Sequence, residues 1–131
     1  LRFLEETGRE AVRERERQLG RRMVEGLRAV EGVRVHDPPG SEEDGMAVTA
    51  FDLVGVDPAE AAYLYDRRHD IAVRAGLHCA PWTHGWLGTL DREPAGTLRA
   101  SPGFFTTDDE IAAFLDATRD LAGQTAGSAA P

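Results

Sequence analysis

A chain of 131 residues, 41% apolar and 29% charged, is long enough for one compact domain with a core, which excludes a multi-domain enzyme in one piece and a disordered segment. Fifteen Arg, no Lys and 23 Asp plus Glu give a formal charge of -8, the opposite of the basic face that a nucleic-acid binder presents. The missing Lys also removes Schiff-base chemistry, Walker-type phosphate binding and a lysine general base from these residues.

Residues 1–6 read as the last turns of an earlier helix. Thr7-Gly8-Arg9-Glu10 has the form of a capping box and predicts a helix from about residue 8. Val12, Leu19, Met23, Leu27 and Val30 recur near the helical period and give that helix one apolar face, while Arg and Glu crowd the others. Gly32 stops it, and Val33-Arg34-Val35-His36 alternates as a half-buried strand does. Asp37-Pro38-Pro39-Gly40 reads as a turn, Ser41 to Gly45 as a solvated loop, and Met46 to Val54 as a second strand, antiparallel to the first because the connection is short. Asp57-Pro58-Ala59-Glu60 starts a second helix reaching about His69, and Ile71 to Gly76 reads as a third strand.

The segment Leu77 to Gly88 follows, irregular and dense in functional groups: both Trp, two of the four His and the only Cys. Gly96 to Ser101 reads as a fourth strand. Thr107-Asp108-Asp109-Glu110 is a further capping box, opening a helix whose Ile111, Phe114, Leu115 and Leu121 face inward. From Gly123 the small and polar composition predicts a frayed tail, so the expected domain is 1–122 with a disordered 123–131. The fold class expected is α/β with an α+β-like character: a small mixed, mainly antiparallel sheet of about four strands covered by helices.

A single Cys forms no intrachain disulfide, and no basic-apolar-small leader opens the chain, so a reducing cytoplasm is the expected compartment. No apolar run approaches the roughly 18 residues of a membrane span. The start at Leu1, mid-pattern and without Met, suggests a piece of a longer protein.

Cys79 follows a strand and a glycine, beside His78 and near Arg74 in sequence, with Arg99 further along. Cationic neighbours favour a thiolate, which makes Cys79 a candidate nucleophile; a buried small apolar residue is the alternative, and from position alone the commoner one. His78, Cys79 and His84 lack zinc-ligand spacing, so no metal site is expected and the histidines are read as hydrogen-bonding locally at a pocket mouth. Arg99, on an otherwise uncharged strand, is either an exposed strand-face residue or a fork for a carboxylate or phosphate. Trp82 and Trp86, four apart, would share a helical face and are explained by packing.

The run Val73-Arg74-Ala75-Gly76-Leu77-His78-Cys79-Ala80-Pro81, followed by Gly96-Thr97-Leu98-Arg99-Ala100-Ser101-Pro102-Gly103-Phe104-Phe105-Thr106-Thr107, resembles the C-terminal small domain of the cysteine desulfurases. These belong to the class V aminotransferase-like, pyridoxal-phosphate-dependent enzymes of fold type I, and the Arg-x-Gly-x-His-Cys-Ala form is similar to the SUF-type and selenocysteine-lyase group. The resemblance covers nearly the whole chain. It implies that Cys79 is the catalytic nucleophile, taking sulfur from L-cysteine as a persulfide and releasing alanine. Arg99 would grip the substrate carboxylate, with Arg74 positioning on the substrate side and His78 tuning the thiolate.

The pyridoxal 5'-phosphate would be bound by a large domain that these residues do not include, so the chain alone would not turn over. L-cysteine, a sulfur-acceptor protein and a homodimer are the partners so implied; no nucleic acid or membrane partner is. Leu77 stands where the pattern commonly has His, Thr106-Thr107 where it has Asn-Thr, and the stretch from His84 to Glu93 is added. A selenocysteine lyase, another class V aminotransferase and a non-catalytic binding or dimerisation module remain the alternatives.

Overall fold

The computed structural model describes residues 2–36 and 47–128. Among these, the elements are α1 (Arg2–Thr7), α2 (Arg9–Arg28), β1 (Val33–His36), β2 (Thr49–Leu53), α3 (Pro58–His69), β3 (Arg74–Gly76), α4 (Pro81–Leu87), β4 (Thr97–Ala100) and α5 (Asp108–Ser128). The strands form one sheet in the order β1-β2-β4-β3, with every pairing antiparallel. This meets the expected four-stranded, helix-covered α/β architecture.

Register and alternation together divide the sheet into two unlike faces. Val35 opposes Phe51, Phe51 opposes Leu98 and Leu98 opposes Ala75, so these side chains share one face, with Val33 and Leu53 beside them. Helices α2, α3 and α5 cover that face through Leu19, Met23, Leu27, Ala61, Tyr65, Ile111 and Phe114, all buried. At its centre Tyr65 stacks on Phe114 with ring centroids 5.7 Å apart, and its hydroxyl meets Thr118 Oγ1 at 2.7 Å. The other face carries Arg34 and His36 from β1, Ala50 and Asp52 from β2, Thr97 and Arg99 from β4, and Arg74 from β3. All the chemistry-bearing strand residues therefore stand opposite the core.

Two of the predicted helix starts form as read. The Asp57 carboxylate accepts from the amides of Ala59 and Glu60 at 2.7 and 3.3 Å. At α5, Thr107 and Glu110 exchange the reciprocal bonds of a capping box, amide to carboxylate at 2.7 Å and amide to hydroxyl at 3.1 Å.

The Thr7–Glu10 box does not form. Gly8 takes φ 84° and separates α1 from α2, so Thr7 is the last residue of α1 and Gly8 itself caps α2 without a side-chain bond. Residues 71–73 lie outside the ladder because β4 offers partners only to Arg74–Gly76; Ile71 and Val73 earn their apolar character by packing on the core. Helix α5 runs on through the segment read as a frayed tail, as far as Ser128. Gln124 anchors it, donating to Asp120 one turn back at 3.1 Å and accepting from Arg68 of α3. The Asp37–Gly40 turn, the Ser41–Gly45 loop, Met46 and residues 129–131 lie outside the described residues. Among the described residues no helix is long and apolar enough to cross a membrane.

Candidate active site

Strand β3 ends at Gly76, whose φ of 103° turns the chain out of the sheet into Leu77-His78-Cys79-Ala80. His78 and Cys79 both have positive φ, 54° and 59°, and the Ala80 amide donates back to the Leu77 carbonyl at 2.8 Å. This is a turn with both central residues left-handed, the form that favours Gly and Asn. Two consecutive side-chain-bearing residues there store about 1–3 kcal/mol of strain each and persist only where the surroundings hold them. Three contacts do so. His78 Nε2 hydrogen-bonds Thr97 Oγ1 of β4 at 3.2 Å. Helix α4 begins at once with Pro81. On the other side Gly96 presses so close that a Cβ there would lie 2.6 Å from the Gly76 carbonyl carbon. The result presents Cys79 as an exposed thiol, not as a buried apolar residue.

Arg74 and Arg99 are direct partners across β3 and β4. Their side chains share the polar face, and among the described residues no carboxylate pairs with either. The Nε–H of Arg99 is buried without an acceptor. Two guanidinium forks held side by side without a counter-charge are suited to an anionic group from outside, and a carboxylate fits their bidentate geometry. His78 lies in their field: burial, then the charges of Arg99, His84 and Arg74, hold its imidazole below the ordinary histidine value. It is therefore a neutral neighbour of Cys79 near pH 7.

His84, 2% exposed, stacks obliquely near His78 with centroids 5.5 Å apart and meets Thr89 Oγ1 through Nδ1 at 2.7 Å. Burial, followed by the charges of His36 and Arg92, lowers its titration as well. Both histidines thus bond locally, and among the described residues no group of His, Cys, Asp and Glu is arranged to hold a metal. Trp82 and Trp86 depart from the sequence reading: they share α4 but are 92% and 68% exposed, so the described residues leave most of both rings uncovered. Spacing predicts a shared face and says nothing of what covers it.

The sequence reading missed a third group, Asp52, His36 and Arg92. Asp52 is buried in β2, where both oxygens accept from the Arg92 fork at 2.7 and 2.8 Å and Oδ2 accepts from His36 Nε2 at 2.7 Å. Burial pushes the Asp52 carboxyl up, but the bonds from His36 and Arg92 prevail and hold it below the ordinary aspartate value. The available signal was an acid inside the otherwise uncharged run Thr49-Ala50-Phe51-Asp52-Leu53.

The model of the family described as aminotransferase class-V matches residues 1–114. A probable cysteine desulfurase of Staphylococcus aureus strain Mu50 is 32% identical over 119 residues, which are 91% of this chain and 27% of that protein. Among solved structures, the apo cysteine desulfurase of Thermococcus onnurineus NA1 superposes with a TM-score of 0.83 at 30% identity, over 94% of this chain and 29% of that one. The cysteine desulfurase CsdA of Escherichia coli, as its S-sulfonic acid, superposes with a TM-score of 0.78 at 26% identity, over 95% of this chain and 28% of that one. The chain thus spans about a quarter of the length of the proteins it matches, 27% for the Staphylococcus relative. With the antiparallel sheet, the order of helices and a family match over most of its residues, this chain belongs to the class-V aminotransferases.

Proposed function

We propose that these residues are the small domain of a cysteine desulfurase, supplying the sulfur-accepting thiol and the substrate carboxylate clamp. The observation that carries the reading is the Arg74–Arg99 pair, without a carboxylate partner among the described residues, on the strands that flank the strained Cys79 turn. Arg99, with Arg74 beside it, holds the carboxylate of L-cysteine. The Cys79 thiolate attacks the substrate sulfur; an S–S bond forms, the carbon–sulfur bond breaks, and its electron pair stays with carbon, which takes a proton to give alanine. L-cysteine and the Cys79 thiol become alanine and a Cys79 persulfide, with every atom retained. His78, neutral, adds no imidazolium charge next to Cys79 in the turn.

The chain's own residues do not fit the cofactor, because no Lys is present to hold an aldehyde. Pyridoxal phosphate, the cofactor proposed here, would be held by other residues of the intact protein, and its chemistry is to make the carbon–sulfur bond breakable. The test is mass spectrometry of the intact protein after treatment with L-cysteine and no reductant. The peptide bearing Cys79 should gain the mass of one sulfur atom while alanine is released, and Cys79→Ser should show neither. Alanine and sulfide release at the parent rate from Cys79→Ser would overturn the reading.

A further inference from the structure

The polar face carries a second cluster that the proposed chemistry leaves unused. Asp52, 6% exposed, receives both arms of Arg92, and the same guanidinium also donates to the carbonyl of Gly96. One side chain therefore joins the middle of the sheet to the loop between α4 and β4. The loop is closed elsewhere too: the Gly96 amide donates to Thr89 O at 2.8 Å, and Thr89 Oγ1 meets His84 Nδ1 at 2.7 Å.

Gly96 is also the residue that abuts Gly76, at φ 90° and without room for a Cβ. The next residue, Thr97, hydrogen-bonds His78. The path from Asp52 through Arg92, Gly96 and Thr97 thus ends on Gly76, which leads into the left-handed turn, and on His78, its first left-handed residue. We infer that Arg92, seated on Asp52, is a positioning residue for Cys79: it holds Gly96 and Thr97 where they brace Gly76 and His78, and so keeps Cys79 in its turn. The inference rests on the desulfurase reading only for what Cys79 does; the mechanical link stands on the contacts.

His78 is a reporter that separates this role from a general stabilising one. The charges that bear most on it are those of Arg99, His84 and Arg74, not that of Arg92. Loss of the Arg92 charge acts on His84, whose titration is lowered by burial first and then by the charges of His36 and Arg92. A more protonated His84 would push His78 further down. Release of His78 from the Thr97 brace removes a bond that raises its titration, but it also removes the burial that lowers it most, so an upward movement in an Arg92 variant reports exposure of His78 to water.

The experiment is an NMR titration of the histidine ring protons in the full chain, for the parent, Arg92→Lys and Arg92→Gln. The expected result is that His78 rises toward the ordinary histidine value in Arg92→Gln, and to a lesser degree in Arg92→Lys, which keeps the charge but loses the two-armed contact. Should Arg92→Gln not fold because Asp52 is left buried with His36 as its one remaining described partner, the double variant Asp52→Asn/Arg92→Gln is read in the same way. An unchanged His78 titration in a folded variant overturns the inference. In the intact protein the same substitution should lower kcat for alanine release several-fold and leave KM for cysteine closer to the parent, since the Arg99 fork is retained. A parent protein that releases no alanine would defeat the desulfurase reading, while the His78 titration still decides the positioning role.

Discussion

Arg74 and Arg99 stand directly opposite one another on β3 and β4, two cations sharing one sheet face and, among the described residues, paired with no carboxylate. Like charges so placed cost a sheet roughly 0.2–1 kcal/mol, less where solvent screens them. Substituting Arg74→Gln should therefore raise the stability of the chain slightly, and the gain should shrink as salt is added. Denaturant midpoints at low and high ionic strength measure this. A loss of stability on removing Arg74 would mean that the guanidinium has an anionic partner after all.

The same pair should betray its purpose in binding. In the intact protein Arg99→Ala should weaken L-cysteine binding by about tenfold or more, the scale of a charge-assisted bidentate contact, while cofactor loading changes little. Initial rates against cysteine concentration, with cofactor absorbance as the control, separate the two. Unchanged dependence on cysteine would remove Arg99 from the clamp.

How much of this was legible in the sequence depends on range. The Asp57 and Thr107 starts are local events, decided within a few residues by a side chain and the amides beside it, and both form as their sequences say. The Thr7 box had the same letters and failed because Gly8 offered the backbone a break that a cap could not outweigh. Cys79 and Arg99 were legible through a motif, but the left-handed turn was not, since nothing in His-Cys announces positive φ. Asp52, His36 and Arg92 meet only through sheet register and a loop fold-back over 40 residues. Such a cluster has no local pattern to read.

The turn's strain gives a stability prediction that ignores chemistry. Cys79→Ala and Cys79→Gly both remove the thiol, but only Gly accepts φ 59° without a Cβ penalty. The Gly variant should be the more stable of the two by about 1 kcal/mol. Equal stabilities, by chemical denaturation, would mean that the left-handed turn is not held in solution.

Two glycines of similar φ offer a matched comparison. Gly55 has φ 82° and open space around it, so Gly55→Ala should cost only backbone strain, about 1 kcal/mol. Gly96 has φ 90° and the Gly76 backbone within 3 Å of any Cβ, so Gly96→Ala adds overpacking against a strand that does not yield and should cost about 3 kcal/mol or more. Comparable losses at the two positions would contradict the close crossing of Gly76 and Gly96.

Half-buried His78 and buried His84 set the direction of the acid response. Both His78 and His84 are held below the ordinary value of 6.5, so under more acid conditions the unfolded chain binds protons that the folded one refuses. Their contribution is complete above that value and is lost as pH falls below it. Asp52 acts further down: its folded carboxyl lies below the ordinary 3.8, so its contribution is complete above that value and disappears only as pH falls through the folded one. The surface carboxylates Glu14, Asp108 and Glu110, also lowered, act in the same far-acid range, below the ordinary values of 4.5 and 3.8. The interval from about pH 7.5 to about pH 5.5 therefore isolates the histidines. Over it the Tm of the parent should fall, and His84→Asn, which retains a polar atom for Thr89 and no proton to refuse, should fall less. A flat parent profile, or an identical slope in the variant, would show that His84 is not kept neutral by its burial and by the charges of His36 and Arg92.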